Sequence, residues 1–190
     1  KVPEIAKGST GNITLYAKWL ETYTITYELN GGTNKNENPE SYNVETETIT
    51  LKAATKNGYT FGGWYKESSF TTKVTEIAKG STGNITLYAK WTANKYKVTF
   101  YSNGGSGNMA TQTFTYGTAQ ALTANTFTRT GYVFVGWATS TAGNVVYQNN
   151  ENFLIGTKDV TLYAKWDSEG FVFVKGATIT GKIADSRDRK

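Results

Sequence analysis

The chain has 190 residues, a net charge of +5 at pH 7 and an aromatic content of 14%, and it contains neither cysteine nor histidine. Its length allows one or two domains that each bury a core. Without cysteine or histidine there is no disulfide, no thiol nucleophile, no histidine base and no cysteine-bearing zinc site. The composition therefore points away from an enzyme, and it predicts no catalytic residue, no metal site and no cofactor.

Charge and hydropathy exclude two further kinds of partner. Binding to nucleic acid through its phosphates needs lysine and arginine clustered on one face. The densest basic run here, Arg187–Lys190, is interrupted by Asp188. No apolar run is long enough to cross a bilayer. We therefore expect no nucleic-acid partner and no membrane span in this part of the protein.

An internal repeat organises the chain. Residues 1–19 return at residues 73–91 with eighteen of nineteen positions unchanged. Two further blocks recur in the same order: Tyr23–Gly32 as Tyr96–Gly105, and Gly58–Trp64 as Gly131–Trp137. The period of about 73 residues exceeds that of solenoid repeats and suffices for a small independent fold. The sequence therefore predicts a tandem array of modules.

The repeat divides the chain into four segments. We assign residues 1–19 to the closing part of a truncated repeat, residues 20–91 and 92–166 to whole modules, and residues 167–190 to a tail. Because the chain begins with Lys1 rather than methionine, we expect it to be an internal piece of a longer protein. Residues 12–19 form a strand pattern without the rest of its sheet. We expect them to pack on the following module or to pair with a neighbouring chain in strand-mediated self-association.

Within a module the hydrophobic period is two, which is typical of half-buried strands. Apolar and polar residues alternate over Tyr23–Leu29 and again over Ile85–Trp91, and residues 48–51 and 60–65 are rich in β-branched and aromatic side chains. Asn-Gly-Gly after the first strand predicts a turn. The prediction is a mainly β fold of tandem, small, β-grasp-like modules. Each would be a mixed, twisted sheet with little helix, in which the first and last strands are neighbours.

Two stretches, Thr75–Lys79 and Ala119–Ala124, have patterns that allow a short turn or helix.

Glu45 and Glu47 stand two residues apart and would share one face of a strand. Such a pair suits acid–base chemistry or calcium, but the second module has no equivalent pair. We therefore interpret them as a solvated strand face.

The aromatic residues are the best candidates for function, since their rings can stack on sugars or anchor a protein partner. Recurrence in every module also fits a structural core, because a small β module without disulfides needs large apolar side chains. We assign four tryptophans to the core: Trp64, Trp91, Trp137 and Trp166. Tyr88 and Tyr163, on the polar side of the closing strand, are the candidate residues for partner contact.

Three of the repeated blocks resemble a known family. They are Asn-Gly-Gly after the first strand, Gly-Tyr-x-Phe-x-Gly-Trp in mid-module, and Thr-Leu-Tyr-Ala-Lys-Trp at the end. Over about residues 1–166 the chain resembles the Listeria–Bacteroides repeat, the B-repeat type of module that is also found in internalin B. The resemblance implies a β-grasp-like module of bacterial surface and secreted proteins that serves as a spacer or an adhesive segment. It brings no catalytic or binding residues with it.

The tail follows another pattern. Residues 170–181 resemble the opening strand of the formylglycine-generating, sulfatase-modifying enzymes, but depart from it at Ala177, Ile179 and Thr180. The chemistry of that family depends on cysteines further along the chain. The alternative is one more strand rich in valine and phenylalanine before a polar terminus.

Three functions remain open at this point. The first is a non-catalytic spacer or stalk on the bacterial cell surface or in a secreted protein, with a host or envelope protein or a glycan as partner. The second is an accessory segment of a sulfatase-modifying type of enzyme. The third is a carbohydrate-binding module that uses exposed aromatic rings.

Overall fold

The computed structural model describes residues 4–168, and over these residues it contains strands, turns and loops but no helix. The predicted mainly β fold is therefore confirmed. In chain order the strands are β1 Tyr23–Glu28, β2 Ser41–Tyr42, β3 Ile49–Thr50, β4 Tyr59–Tyr65, β5 Lys73–Val74, β6 Glu76–Ile77, β7 Ile85–Ala93, β8 Lys95–Tyr101, β9 Gln112–Thr115, β10 Gln120–Ala121, β11 Tyr132–Ala138, β12 Asn152–Phe153 and β13 Val160–Ser168. The resemblance at residues 170–181 lies outside the described part.

The sequence allowed a short turn or helix at Thr75–Lys79 and Ala119–Ala124, and the helix is wrong at both, whereas a turn begins at Lys79. The first stretch contains β6, which pairs with β3, and the second contains β10, which pairs with β12. Tertiary pairing overrides a weak local preference, because both stretches contribute a buried side chain: Ile77 of β6 is 5% exposed, and Leu122, which follows β10, is fully buried.

The described strands form two compact units that meet in the sequence at Thr92 and Ala93. The first unit has a five-stranded sheet, in the order β2-β1-β7-β4-β5, and the ribbon β3-β6. The second unit has a four-stranded sheet, in the order β11-β13-β8-β9, and the ribbon β10-β12. Each unit thus repeats the same central arrangement around its opening and closing strands.

The opening and closing strands of each unit are parallel neighbours, as predicted. Ile25 of β1 pairs with Ile85 of β7, and Val98 of β8 pairs with Val160 of β13. Other strand pairs, such as β1 with β2 and β11 with β13, are antiparallel, so the sheets are mixed. A parallel pair needs a long crossover, which the intervening fifty or so residues of each module supply.

Each unit has its own hydrophobic core with one tryptophan at its centre. In the first unit Trp64 is 2% exposed and meets the rings of Tyr27 and Phe61 edge-on, at centroid distances of 5.1 and 5.3 Å. In the second unit Trp137 is fully buried against Phe100 and Phe134. Leu87 and Ala89 of β7, like their counterparts in β13, are fully buried. The closing strand therefore contributes fully buried side chains to each core.

The two central tryptophans differ in their hydrogen bonding. The Trp64 Nε1 donates to the backbone oxygen of Lys52 at 2.9 Å. The Trp137 Nε1 is buried and has no acceptor among the described residues. A buried donor without a protein acceptor reduces stability by about 1–3 kcal/mol unless a water satisfies it.

A set of three residues, which we call the closing clamp, fastens the Asn-Gly-Gly turn of the first unit to β7. The Asn30 side chain donates to the oxygen of Ala89 at 3.0 Å, and the Trp91 Nε1 donates to the oxygen of Leu29 at 2.8 Å. A Cβ on Gly32, the third member, would run into the indole ring of Trp91. The clamp therefore joins residues about sixty positions apart and requires glycine under the indole.

The second unit repeats the closing clamp. Asn103 donates to the oxygen of Ala164 at 3.0 Å, and the Trp166 Nε1 donates to the oxygen of Ser102 at 2.7 Å. A Cβ on Gly105 would lie 2.7 Å from Trp166 Cζ2. Both clamp asparagines have positive φ, 49° for Asn30 and 48° for Asn103, a conformation that asparagine tolerates better than most residues. Trp91 and Trp166, which the sequence assigned to the core, thus also donate hydrogen bonds to backbone oxygens.

Residues 4–22 form no strand, although residues 4–19 repeat the sequence that makes β6 and β7. Leu15 is 65% exposed, Tyr16 89% and Trp19 91%. The expectation that residues 12–19 pack on the following module is therefore wrong. The connection of residues 20–22 is too short for the crossover that a parallel place beside β1 would need. Pairing with a neighbouring chain stays a prediction.

Glu45 and Glu47 lie in the loop between β2 and β3, so the prediction that they share a strand face is wrong. Each forms an exposed ion pair, Glu45 with Lys18 at 2.7 Å and Glu47 with Lys79 at 2.5 Å. The hydrogen bond from Lys18 lowers the pKa of Glu45, and the hydrogen bond to Glu47 raises the pKa of Lys79. Exposed pairs of this kind add little stability.

The hydroxyl group of Tyr27 lies at the edge of the first core and donates to the oxygen of Pro39 at 2.9 Å. Burial, helped by the nearby charge of Glu40, raises the pKa of Tyr27 to about 12. The folded chain therefore keeps the phenolic proton at a pH where the unfolded chain, with a pKa near 10, has lost it. The contribution of Tyr27 to the free energy of unfolding is fully present below pH 10 and is lost as the pH rises from 10 towards 12.

We expect Tyr27→Phe to remove this component of alkaline destabilisation. Between pH 10 and pH 12 the parent chain should lose about 1–2 kcal/mol more in the free energy of unfolding of its first unit than the variant does. Denaturant unfolding at pH 9, 10, 11 and 12 measures the difference. Tyr16→Phe is the matched control, because Tyr16 is exposed. Equal losses in the Tyr27→Phe and parent chains would contradict the assignment.

Candidate functional site

Tyr88 and Tyr163, the predicted contact residues, occupy the same position on the closing strands β7 and β13. Both are half-buried, between neighbours on the strand that are fully buried. Their partners across the parallel ladder differ: Tyr88 stands beside Glu28, and Tyr163 stands beside Tyr101. The two units therefore present different surfaces around an identical residue.

In the first unit Tyr88 lines an open cleft of about 440 Å³. The loops after β1, β3 and β4 and the outer face of β7 form its walls. Half of its side chains are aromatic, and the full set is Asn30, Lys56, Tyr59, Ser68, Phe70, Tyr88, Ala89 and Trp91. We call it the aromatic cleft. It brings Tyr88 together with Trp91, which the sequence had assigned to the core alone.

Lys56 supplies the positive charge of the aromatic cleft. Its Nζ lies 4.3 Å from the ring centroid of Tyr59 and 6.0 Å from that of Trp91, and it donates to the backbone oxygen of Asn30 at 2.7 Å. A cation over aromatic faces is held by the ring quadrupole. Lys56 is thereby fixed at the clamp turn, where a ligand in the cleft would meet both a charge and flat apolar rings.

Phe70, in the loop between β4 and β5, also lines the aromatic cleft. Phe70 has a φ of 56°, which is uncommon for a bulky residue, and its ring packs edge-on against Tyr65 at 5.6 Å. Lys90 lies over both rings, with its Nζ 5.2 Å from the Tyr65 centroid and 5.6 Å from the Phe70 centroid. The strained backbone thus places the ring of Phe70 in the lining of the cleft, and Lys90 lies over that ring.

The second unit keeps the cation but changes the surroundings. Arg129 lies 3.9 Å above the ring of Tyr132, as Lys56 lies above Tyr59. Tyr163 packs against Tyr101, with ring centroids 5.5 Å apart and planes inclined by 31°. Tyr101 is 55% exposed. The second unit therefore presents a tyrosine pair where the first presents Glu28 beside Tyr88.

Sequence reasoning missed two members of the aromatic cleft. The cation was detectable, because Lys56 precedes Tyr59 by three residues and Arg129 precedes Tyr132 by the same interval. Phe70 could not be assigned to the cleft from the sequence, because its loop does not recur in the second module and its position depends on a positive φ. Tyr88 was found because the alternation of the closing strand placed it opposite the core face.

A second cavity of about 550 Å³ lies between β6 and the start of β7. The hydroxyl group of Tyr42 projects into this region and donates to the oxygen of Gly83 at 2.5 Å, and burial raises the pKa of Tyr42. Its lining is mainly small and hydroxyl-bearing, with Lys66 and Glu76 as the charged side chains. It offers mainly hydrogen-bonding groups.

Neither cavity contains a set of metal ligands. Over residues 4–168 no three carboxylates come together in a way that could hold a metal ion. In the same part of the chain there is no helix long and apolar enough to cross a membrane. The chemistry available at the aromatic cleft is thus stacking, hydrogen bonding and attraction of negative charge.

Comparison with known proteins gives the family. The profile of the Listeria-Bacteroides repeat domain matches residues 23–90 and 96–165, once for each unit. A protein of Evansella cellulosilytica, named provisionally as a Gly-rich membrane protein, is 34% identical over 158 residues, covering 82% of this chain and 18% of the relative. A second protein of that organism, named provisionally as a membrane protein, is 34% identical over 164 residues, covering 85% of this chain and 24% of the relative.

A third relative has a more specific name. Internalin H of Listeria monocytogenes serovar 1/2a is 32% identical over 154 residues, covering 77% of this chain and 25% of the relative. The chain thus spans a quarter or less of the length of all three relatives. The two profile matches coincide with the two units, each closed by its own clamp, and the chain belongs to the Listeria-Bacteroides repeat domain family.

Proposed function

We propose that this chain is a non-catalytic spacer or stalk segment of a protein at the bacterial cell surface. The observation that carries the proposal is the repetition of a complete unit, with its own sheet, core and closing clamp. A spacer needs modules that fold without their neighbours and can be added or removed. In this role each unit contributes length, and weak contacts per unit gain from being repeated.

Two observations support the surface location. The family occurs in an internalin, and the other two relatives bear names of membrane proteins. The chain has no cysteine, so its folding does not depend on the redox state of the compartment.

The aromatic cleft favours a second candidate function, which is contact with a glycan. Flat rings of Tyr59, Tyr88 and Trp91 beside a fixed cation are groups that stack on sugar rings and attract acidic substituents. This role is compatible with a spacer, because a stalk can carry a weak binding site on one of its modules. The alternative of an accessory segment for a sulfatase-modifying enzyme depends on residues 170–181, which lie outside the described part.

The spacer role is tested by changing the length and the sequence of the array separately in the full-length protein. In one variant residues 92–166 are deleted, and in the other they are replaced by a second copy of residues 20–91. We expect the deletion to reduce antibody access to a tag at the end furthest from the envelope, and the replacement to retain parental access. The measurement is tag accessibility on intact cells at equal protein abundance. Equal loss in both variants would contradict the spacer role, because sequence rather than length would then matter.

The glycan role is tested by Tyr88→Ala on the 190-residue chain. We expect about tenfold weaker binding to any glycan that the parent chain retains on an array of bacterial envelope and host glycans, because one stacking ring is lost. Tyr163→Ala is the matched control, since it removes the equivalent ring from the second unit. Absence of any retained glycan, or equal weakening by both substitutions, would count against the aromatic cleft as the site.

A further inference from the structure

Among the residues that line the aromatic cleft in the described part of the chain, Lys56 is the one with a charge. Its ammonium group has three N–H donors, and one of them is engaged by the backbone oxygen of Asn30 at 2.7 Å. The same Nζ lies 4.3 Å from the ring centroid of Tyr59. Two donors are therefore left for a ligand, on a charge that the backbone and a ring already hold in place.

The positive charge at the aromatic cleft is not neutralised by a carboxylate. Lys90 adds a second cation over the ring of Phe70, and within residues 4–168 neither of the two lysines forms an ion pair. Glu28 stands beside Tyr88 in the ladder but does not line the cleft. The carboxylate of Glu67 accepts from the hydroxyl group and the backbone nitrogen of two neighbouring threonines in its own loop. The cleft therefore attracts anions.

A cationic ligand does not fit the aromatic cleft, although aromatic rings often bind cations. The rings that would hold it already face the lysines of the chain, Tyr59 with Lys56 and Phe70 with Lys90. Tyr88 is different: it is half-buried, and no cation–ring or ring–ring contact involves it within residues 4–168. The ring of Tyr88 is thus available for stacking beside a fixed positive charge.

We propose that the aromatic cleft selects sugars that carry a carboxylate, so that its ligand is a glycan containing a hexuronic acid. This inference rests on the glycan contact proposed above. In a hexuronic acid the carboxylate is joined directly to the sugar ring. One sugar residue therefore presents both an apolar C–H face to Tyr88 and a charged acceptor to the two remaining donors of Lys56. A neutral sugar offers the stacking face alone.

The second unit supplies matched variants for the test, because it has a cation at the same place. A Cβ on Gly31 would lie 3.5 Å from Lys56 Nζ, and one on Gly104 would lie 3.4 Å from Arg129 Nη1. Each cation thus sits on the clamp turn of its own unit. Arginine is therefore a conservative replacement for Lys56, and Arg129 is the equivalent cation outside the aromatic cleft.

The test uses two polymers that contain glucuronic acid, hyaluronan as a host glycan and teichuronic acid as a glycan of the bacterial envelope. Each is compared with its carboxyl-reduced form, which has a hydroxymethyl group in place of each carboxylate. The measured quantity is the ratio of the dissociation constants of the reduced and the native polymer for the 190-residue chain. We expect the native form of at least one polymer to bind about tenfold more tightly, because reduction removes a charge-assisted hydrogen bond.

Lys56→Met should bring this ratio close to one, Lys56→Arg should keep the preference for the native polymer, and Arg129→Met should retain the parental ratio. A preference for one polymer alone supports the proposal and identifies the source of the ligand. A parental ratio near one on both polymers would overturn the carboxylate proposal and leave the glycan contact standing. Equal loss of the preference in Lys56→Met and Arg129→Met would also overturn it, because the selective charge would then lie outside the cleft. Absence of binding to all four polymers would overturn it too, and the glycan array would decide the glycan contact separately.

Discussion

The closing clamp is the interaction on which each unit depends. One indole nitrogen near the end of the closing strand donates to the carbonyl oxygen of the residue that follows the opening strand, and the next residue, an asparagine, donates a hydrogen bond to the closing strand. The indole can approach only because the third residue of the turn is glycine. Since the two strands are parallel, no tight turn can join them, and their pairing forms only after the whole module has been traversed. The clamp is therefore the contact that joins the two ends of a module.

This form of closure makes a module independent of its neighbours. The core of the first unit contains residues of β7 that reach it from more than fifty positions beyond β1, so a module that lacks its last strand lacks part of its core. A repeat array built in this way can be extended by whole modules, and the fit of the clamp limits mispairing to sheets of the same kind. Spacing by added units thus follows from this one structural feature.

Much of the central architecture was predictable from the sequence, because it rests on patterns that repeat. Alternation over Tyr23–Leu29 and Ile85–Trp91 gave the opening and closing strands, and the economy of a short module gave their adjacency. The short ribbons were not predictable: β6 and β10 are two residues long and take their form from β3 and β12. The acidic pair Glu45 and Glu47 was misplaced because a polar loop and a solvated strand look alike over three residues. In the aromatic cleft the outward position of Tyr88 followed from strand periodicity. The position of Phe70 depends on a positive φ, which a phenylalanine in the sequence does not predict.

The central claim, that the clamp holds each unit closed by itself, is tested most directly by Gly105→Ala. A Cβ at this position would lie 2.7 Å from the indole of Trp166 and 2.8 Å from the oxygen of Thr128, whereas one at Gly156, the matched control, meets no atom within 4 Å. Denaturant unfolding followed by NMR signals assigned to each unit should show the second unit losing about 2–4 kcal/mol of stability and the first unit unchanged. Gly156→Ala should change neither unit by more than about 0.5 kcal/mol. Retention of full stability by Gly105→Ala, or loss in both units together, would contradict the account.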